Sequence, residues 1–172
     1  MTPIETERLL LRRYEDNDAP ALAPLANDWD VARWLPNLPY PYAESDALDF
    51  IAKARVLLDE KRDYQLAITR KEDGAVLGTV GVHVASRAVP ELGYWLGKPY
   101  WDQGYATETA RAMVDFSFRT VGLELLMARV FDGNTASQRV LVKTGFALVD
   151  LREMETETRG HKRYTVYHRH AG

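Results

Sequence analysis

The segment from Glu91 to Thr120 constrains the fold most, because it reads as a strand, a loop and a helix in direct succession. Glu91–Leu96 has the apolar and aromatic composition of a strand, and Lys98–Gln103 has that of a loop. A glycine, an alanine and a threonine then begin a helix that ends near Gly122. The first N–H groups of a helix lack intrahelical partners and lie at its positive dipole end, so this arrangement suits a phosphate group.

The small residues at this helix start have two interpretations. Gly104 and Ala106 would let phosphate oxygens reach the helix amides without a side-chain collision, and the Thr107 hydroxyl would add a donor. An ordinary helix start after a loop explains the same residues equally well. The sequence has neither a Gly-Lys-Ser/Thr ending for a nucleoside triphosphate nor a G-x-G-x-x-G motif for a dinucleotide. A phosphate site here would therefore serve another phosphorylated cofactor.

A second informative segment is Asn134–Phe146. Asn134 and Ser137 lie three residues apart, so they share one face of a short helix. Capping and packing explain Asn134 as an N-cap, Gly145 as the residue after the last turn and Phe146 as a core anchor. A serine hydroxyl adds little to the stability of a helix, so capping and packing explain Ser137 less well. Ser137 is therefore the stronger candidate for a chemical role.

The remaining pattern alternates strands and helices. The predicted elements are a strand at Arg8–Arg13, helices over Asp16–Asn27 and from a cap at Ser45, a hairpin turning at Asp73–Gly74, strands near Glu91–Leu96 and Leu125–Phe131, helices over Gly104–Thr120 and Asn134–Thr144, and strands near Phe146–Met154 and Arg163–His168. This order predicts an α/β (α+β) protein with a mixed sheet and helices on both faces. We expect one domain over residues 1–172, ordered over about residues 8–168.

Composition excludes several classes of function. The 172 residues carry a net charge of −3 and no cysteine, which argues against nucleic-acid binding, polybasic membrane binding, thiolate metal sites and a cysteine nucleophile. No apolar run reaches the roughly 18 residues of a membrane span, and the N-terminus lacks signal-peptide features, so a cytoplasmic location is expected. We predict no metal site, because His161, His168 and His170 are typical of a solvated, mobile tail.

Together these motifs resemble the GNAT superfamily of N-acetyltransferases, and more narrowly its Rim-type branch, named for ribosomal-protein N-terminal acetyltransferases. The resemblance runs in the expected order through Thr6–Arg12, Glu91–Leu96, Tyr100–Glu108 and Asn134–Phe146, and so covers nearly the whole chain. It implies a mostly antiparallel sheet in which one parallel strand pair splays apart and holds acetyl-CoA.

The resemblance also implies roles for particular residues. The backbone of residues 94–96 would pair with the pantetheine arm, loop and helix amides would hold the pyrophosphate, Asn134 would bind pantetheine, and Ser137 would lie near the thioester sulfur. The implied cofactor-binding residues are Tyr94, Trp95, Leu96, Asp102, Gln103, Gly104, Tyr105, Ala106, Thr107, Asn134, Ser137 and Arg139.

The chain departs from the superfamily at the position of the general acid. Many members place a tyrosine, the general acid, seven residues after the asparagine, and that position is Leu141 here. The thiolate would then take its proton from Ser137, from water or from another tyrosine. Glu91 is our candidate base, acting directly or through water, although a solvated strand-end carboxylate is an equal interpretation.

Acceptor binding is the least constrained part of the prediction. Trp34, Tyr40 and Tyr42, with Trp29, would wall an acceptor pocket or form a satellite hydrophobic cluster under a proline-rich loop. We expect acetyl transfer from acetyl-CoA to a primary amine (a protein N-terminus, an amino acid or a small molecule) by direct attack in a ternary complex, in a monomer or homodimer. A non-catalytic acyl-CoA sensor is the alternative, and a phosphate-binding module indifferent to CoA is a third.

Overall fold

The chain folds around one eight-stranded sheet with the strand order β1-β2-β3-β4-β5-β6-β8-β7. The computed structural model describes residues 1–85, 87–156 and 158–172. The strands are β1 Ile4–Glu5, β2 Leu9–Arg12, β3 Asp63–Arg70, β4 Val76–His83, β5 Glu91–Leu96, β6 Leu125–Phe131, β7 Ala147–Thr156 and β8 Gly160–His170. The helices are α1 Ala19–Ala26, α2 Trp29–Ala32, α3 Glu44–Asp59, α4 Tyr105–Phe116 and α5 Thr135–Lys143. All neighbouring strands are antiparallel except β5 and β6, so the predicted mixed, mostly antiparallel sheet is confirmed.

Most predicted boundaries are confirmed where local chemistry fixes them. β5 and β6 have the predicted limits, and the hairpin between β3 and β4 turns at Gly74, whose φ of +73° favours glycine. The expected cap at Ser45 is wrong. Ala43 is the N-cap of α3, and its N–H donates to the Asp46 carboxylate, so Asp46 supplies the capping interaction instead.

Helices cover the two faces of the sheet differently. On one face, α4 and α5 pack around Leu92, Tyr94 and Ala128, and we call it the α4/α5 face. Side chains alternate along a strand, so Glu91 and Arg129 lie on the opposite face, which we call the Arg129 face. α1 and α3 cover that face over β3 and β4, whereas Trp34 packs near Phe131 over the far end of β6.

The C-terminal strands are longer than predicted. His161, His168 and His170 belong to β8, so the expected mobile tail is wrong. The ring of His161 lies 2.8 Å from Glu155 and 3.2 Å from Glu153, which are residues of the facing strand. Among the helices of the described residues, none is long and apolar enough to cross a membrane.

Candidate active site

β5 and β6 are joined at one end only, and the space between them is the centre of the candidate site. Their recorded register, within the described residues, is the single pair Glu91 and Met127, beside which the Met127 N–H donates to the Pro90 carbonyl at 2.8 Å. Beyond that pair the strands separate. We call the opening between Leu92–Leu96 and Ala128–Phe131 the gap.

The register of β5 decides which backbone groups face the gap. The Gly97 N–H donates to the Leu77 carbonyl of β4 at 2.8 Å, and the β4–β5 register is regular along the strand. Because N–H groups of a strand alternate in direction, those of Tyr94 and Leu96 turn toward the gap. The backbone of Trp95 turns toward β4 instead. The gap therefore presents strand amides to an extended ligand, although not from every residue of 94–96.

The loop before α4 ends in two residues with left-handed backbone conformations. Asp102 has a φ of +58° and Gly104, the N-cap of α4, has a φ of +82°. Gly104 provides no side-chain cap, so the first amides of α4 keep their donor capacity for a ligand. Tyr105 is buried, whereas Ala106 and Thr107 are half-buried. Uncapped amides at a helix start are donors of the kind that bind phosphate groups.

A hydrogen-bonded network from the N-terminus holds this loop in place. The Glu108 carboxylate accepts from the Thr6 hydroxyl at 2.6 Å, from the Arg8 N–H at 2.8 Å and from Arg8 Nε at 2.8 Å. Arg8 also donates to the Gln103 carbonyl at 2.9 Å, and its guanidinium lies 4.4 Å above the Tyr105 ring. Partial burial works to raise the pKa of Glu108, but the bonds from Thr6 and Arg8 outweigh it and lower that pKa.

Sequence reasoning missed this network as a functional feature. The two halves of the network lie far apart in the sequence, since Arg8 and Glu108 are 100 residues apart. No spacing rule for helices or strands connects residues so distant. The one sequence signal for the network was that Thr6–Arg12 and Tyr100–Glu108 both belong to the family resemblance.

On the α4/α5 face, Tyr94 and Ser137 meet across the gap. The Tyr94 Oη lies 3.0 Å from the Ser137 Oγ, and the Tyr94 hydroxyl also donates to the Ser137 carbonyl at 3.3 Å. Burial raises the pKa of Tyr94 to about 12, against the lowering effect of the Ser137 hydrogen bond. Tyr94 therefore keeps its proton at neutral pH. Its side chain, for which the sequence analysis assigned only a backbone role, connects β5 to α5.

Asn134 caps α5 in the way that its position predicted. Its Oδ1 accepts from the Ser137 N–H at 3.2 Å. Because the amide oxygen is used as an acceptor, the Nδ2 group is the part of the side chain that can donate to a ligand. Gly145 ends α5 with a φ of +84° and Phe146 is buried, so the predicted cap and core anchor are confirmed.

Two other residues of α5 differ sharply in exposure. Leu141 is fully buried in the main core, so the position of the usual tyrosine holds a packing residue without a proton donor. Arg139 is exposed, and no ion pair is recorded for it among the described residues. Its guanidinium is therefore available to an anionic part of a ligand.

On the Arg129 face, Glu91 forms an ion pair beside the gap. Arg129 Nε and Nη2 donate to its two carboxylate oxygens, each at 2.8 Å, and Arg87 Nε lies 3.1 Å from Oε2. Burial opposes the charge of Arg129, but the pairing with Glu91 outweighs it and raises the Arg129 pKa. Glu91 is 9% exposed, so it is no solvated strand-end carboxylate. Oε1 accepts one recorded bond and can accept a water as well.

The aromatic residues expected around the acceptor do not form one wall. Trp34 packs with the cluster of Phe131 and Tyr164 near the gap. Tyr42 is buried in the separate cluster under α1 and α3. Tyr40 is 46% exposed, and its ring lies 4.9 Å from that of Trp29.

Arg159 ties the β7–β8 connection to the loop that follows α2. Its Nε donates to the Ala32 carbonyl and its Nη2 to the Leu38 carbonyl, both at 2.9 Å. Its guanidinium also lies 5.2 Å from the Trp29 ring, and burial lowers its pKa. This residue carried no sequence pattern that would have identified it. It fixes the loop bearing Trp34 at the edge of the Arg129 face.

The gap, the uncapped start of α4 and the polar groups on both faces fit a transferase that uses an acyl-CoA. The family model for the acetyltransferase (GNAT) domain matches residues 8–147, and the chain belongs to the GNAT family of N-acetyltransferases. The predicted resemblance is thereby confirmed, and the protein is an acetyl-CoA-dependent acyltransferase.

Individual relatives agree with this assignment. The chain is 34% identical over 149 residues to the uncharacterized N-acetyltransferase YoaA of Bacillus subtilis (strain 168), covering 85% of this chain and 84% of YoaA. The ribosomal-protein-S5-alanine acetyltransferase from Vibrio fischeri superposes with a TM-score of 0.85 at 19% identity, over 99% and 97% of the two chains. The microcin C7 self-immunity acetyltransferase MccE, solved with acetyl-CoA and AMP, superposes with a TM-score of 0.84 at 16% identity, over 96% and 94%. Rim-type enzymes thus share the fold.

Proposed function

We propose that this protein transfers the acetyl group of acetyl-CoA to a primary amine by direct attack in a ternary complex. The observation that carries the proposal is the gap, which opens to both faces of the sheet and has different groups on each. The start of α4 lies on the α4/α5 face, and the strand amides of Tyr94 and Leu96 turn into the gap beside it. A carboxylate and aromatic side chains lie on the Arg129 face.

The α4/α5 face suits the cofactor. The amides of α4 behind Gly104 would hold the pyrophosphate, the strand amides of Tyr94 and Leu96 would pair with pantetheine, and the free Nδ2 of Asn134 would donate to it. Acetyl-CoA supplies the activated thioester. A strand amide at the gap would stabilise the oxyanion that forms during attack.

The Arg129 face suits the acceptor amine. The amine nitrogen forms a bond to the acetyl carbon, the carbon–sulfur bond breaks, and one proton leaves the nitrogen. Glu91 would accept that proton through a water bound at Oε1, since its other acceptor positions are used by arginines. Trp34 would line the approach, whereas the buried Tyr42 would support the loop and Tyr40 would sit at its exposed rim.

Ser137 would return a proton to the leaving thiolate, with Tyr94 behind it. The 3.0 Å contact between the two hydroxyls forms a short relay that takes the place of the tyrosine replaced by Leu141. Tyr94 is suited to this role because burial raises its pKa to about 12 and keeps it protonated. Holding both substrates in the gap would supply the larger part of the acceleration, on the order of 7–11 kcal/mol at best.

Thiol release from acetyl-CoA tests this proposal directly. We expect release in the presence of a primary amine drawn from a panel of peptides, amino acids, polyamines and aminoglycosides, and none with the N,N-dimethylated form of the same amine. Tight CoA binding without turnover on any amine would favour the acyl-CoA sensor. Equal thermal stabilisation by inorganic phosphate and by CoA would favour the phosphate-binding module.

A further inference from the structure

Three titratable side chains form a row across the sheet on the Arg129 face. Asp63 of β3 lies directly opposite His83 of β4, and His83 lies directly opposite Glu91 of β5. Residues directly opposite each other in antiparallel strands point to the same face, with Cβ atoms about 4.5–5.5 Å apart. Because β4 and β6 flank β5, His83 and Arg129 lie on opposite sides of Glu91. Of the three residues in the row, Glu91 alone has a part in the proposed transfer so far.

Asp63 holds the His83 ring in one orientation. The Asp63 side chain is buried, and its Oδ1 accepts from the Val84 N–H at 2.8 Å and from the Ala85 N–H at 3.3 Å. Its Oδ2 lies 3.2 Å from His83 Nδ1. An ionised carboxylate only accepts hydrogen bonds, so Nδ1 carries the ring proton in this pair. In the neutral ring, Nε2 is then an acceptor.

The acceptor nitrogen of His83 lies beside the wall of the gap. A Cβ built at Gly93, a residue of β5 in that wall, would lie 3.9 Å from His83 Nε2. Apart from the chain neighbours of Gly93, no other atom of the described residues lies within 4 Å of that Cβ. Gly93 has no side chain and is half-buried, so a water can occupy this space. The His83 side chain is 31% exposed, which leaves the ring a route to solvent.

Glu91 is better suited to pass a proton on than to keep it. A proton on its carboxylate would weaken the charge-assisted bonds from Arg129, which are each 2.8 Å long. The imidazole of His83 takes up a proton without breaking any such pair, because Asp63 already faces its other nitrogen. Imidazole is also the side chain that most readily takes up and releases protons near neutral pH.

We propose that His83 is the final acceptor of the proton that leaves the amine, and that Asp63 positions it. This relay rests on the proposed acetyl transfer. As the nitrogen–carbon bond forms, the proton that Glu91 draws from the amine through its bound water moves on, through water, to His83 Nε2. The imidazolium is stabilised by Asp63 and returns its proton to solvent. The leaving thiolate takes a separate proton from Ser137.

His83→Asn tests the relay while it keeps the bond to Asp63. The asparagine Nδ2 takes the place of Nδ1 and still donates to the carboxylate, but nothing replaces Nε2. We expect kcat to fall by about 10–100-fold, because Glu91 can then release its proton only to bulk water. The KM for the amine and the affinity for CoA should change by less than about twofold. His161→Asn, at an exposed histidine of β8, is the matched control and should not alter kcat.

Asp63→Asn tests the orientation of the ring. The asparagine Oδ1 can still accept from the two backbone N–H groups, but its Nδ2 then donates to His83 Nδ1, so the ring proton moves to Nε2. We expect kcat to fall as far as in His83→Asn. Long-range ¹⁵N–¹H NMR distinguishes the two neutral tautomers without any substrate, and the signal missing from His83→Asn identifies the ring. The wild type should show the Nδ1–H tautomer and Asp63→Asn the Nε2–H tautomer.

The outcomes separate the relay from the transfer on which it rests. If no amine is acetylated by the wild type, the proposed transfer and the relay are both overturned. If amines are acetylated but His83→Asn is as fast as the wild type, the relay alone is overturned. An Nε2–H tautomer in the wild-type protein would overturn the relay whatever the activity is.

Discussion

The two faces beside the gap are built by different means. On the α4/α5 face the polar groups are backbone amides and the hydroxyl and amide groups of Tyr94, Ser137 and Asn134, which hydrogen bonds such as the Asn134 cap of α5 hold in place. On the Arg129 face they are long side chains, joined by the Glu91–Arg129 ion pair and bordered by Trp34. Backbone donors that helix and strand geometry hold in place bind a ligand in much the same way whatever the surrounding side chains are.

In the proposed mechanism, this difference would separate the constant substrate, acetyl-CoA, from the variable one, the amine. A cofactor that every family member uses can be held by backbone geometry, which tolerates substitution. An acceptor that changes between relatives needs side chains, because only side chains can be replaced one at a time. Substitutions on the α4/α5 face should therefore alter cofactor affinity or thiolate protonation. Those on the Arg129 face should alter turnover with the amine.

Gly104→Glu should produce the largest effect. An unchanged CoA affinity in this variant would contradict the proposed difference between the two faces. The substitution places a carboxylate at the helix start, where the cofactor's pyrophosphate would lie, and a Cβ there meets Arg8 Nη2 at 3.3 Å. We expect CoA binding to fall by at least about a hundredfold in calorimetry, since the added carboxylate would repel the pyrophosphate at the positive end of the helix. Gly74→Glu is the matched control, because Gly74 also has a positive φ (+73°) but nothing within 4 Å of its Cβ. Equal affinity in the two variants would contradict the phosphate site.

Glu91→Gln tests the Arg129 face. Loss of a general base costs about 10²–10⁴-fold in kcat, and CoA affinity should stay unchanged. Arg129→Met separates chemistry from structure, because it removes the two bonds from Arg129 and leaves the carboxylate beside Arg87. If Glu91 is the base, Glu91→Gln should lower kcat far more than Arg129→Met does. If the pair only holds the strands together, the two variants should lose stability and activity alike.

Ser137→Ala and Tyr94→Phe test the relay on the α4/α5 face. Each should lower kcat by about 10–100-fold without weakening CoA binding, because a water would replace the lost donor in part. The double variant should be little slower than Ser137→Ala, since the two hydroxyls act in series. Additive losses in the double variant, or equal changes in kcat and CoA affinity, would make them binding residues.

Which features could be predicted depends on how far apart in sequence the interacting residues lie. β5, β6 and the ends of α5 were predicted because apolar composition and caps such as Asn134 and Gly145 act within a few residues. The order of these elements predicted a mixed sheet with helices on both faces, and the family resemblance predicted its one splayed parallel pair. The Arg8–Glu108 network, the Glu91–Arg129 pair and the Tyr94–Ser137 contact were not predictable, because each joins residues that only the finished sheet brings together. The cap of α3 failed because Asp46 competes with the serine beside it.

Acid unfolding measures how far the Glu108 network stabilises the α4/α5 face, and it is the smallest expected effect. The folded state lowers the Glu108 pKa below its usual value of 4.5, so the carboxylate stabilises the fold above about pH 4.5, and this contribution is lost as pH falls through the lowered pKa. Glu108→Gln should therefore lower the free energy of unfolding by about 1–2 kcal/mol at neutral pH and by progressively less in acid. Urea unfolding across this pH range gives the difference. Glu5→Gln, at an exposed carboxylate paired with Lys71, should show no such trend. A Glu108→Gln deficit that persists unchanged in acid would mean that packing, and not charge, holds the loop before α4.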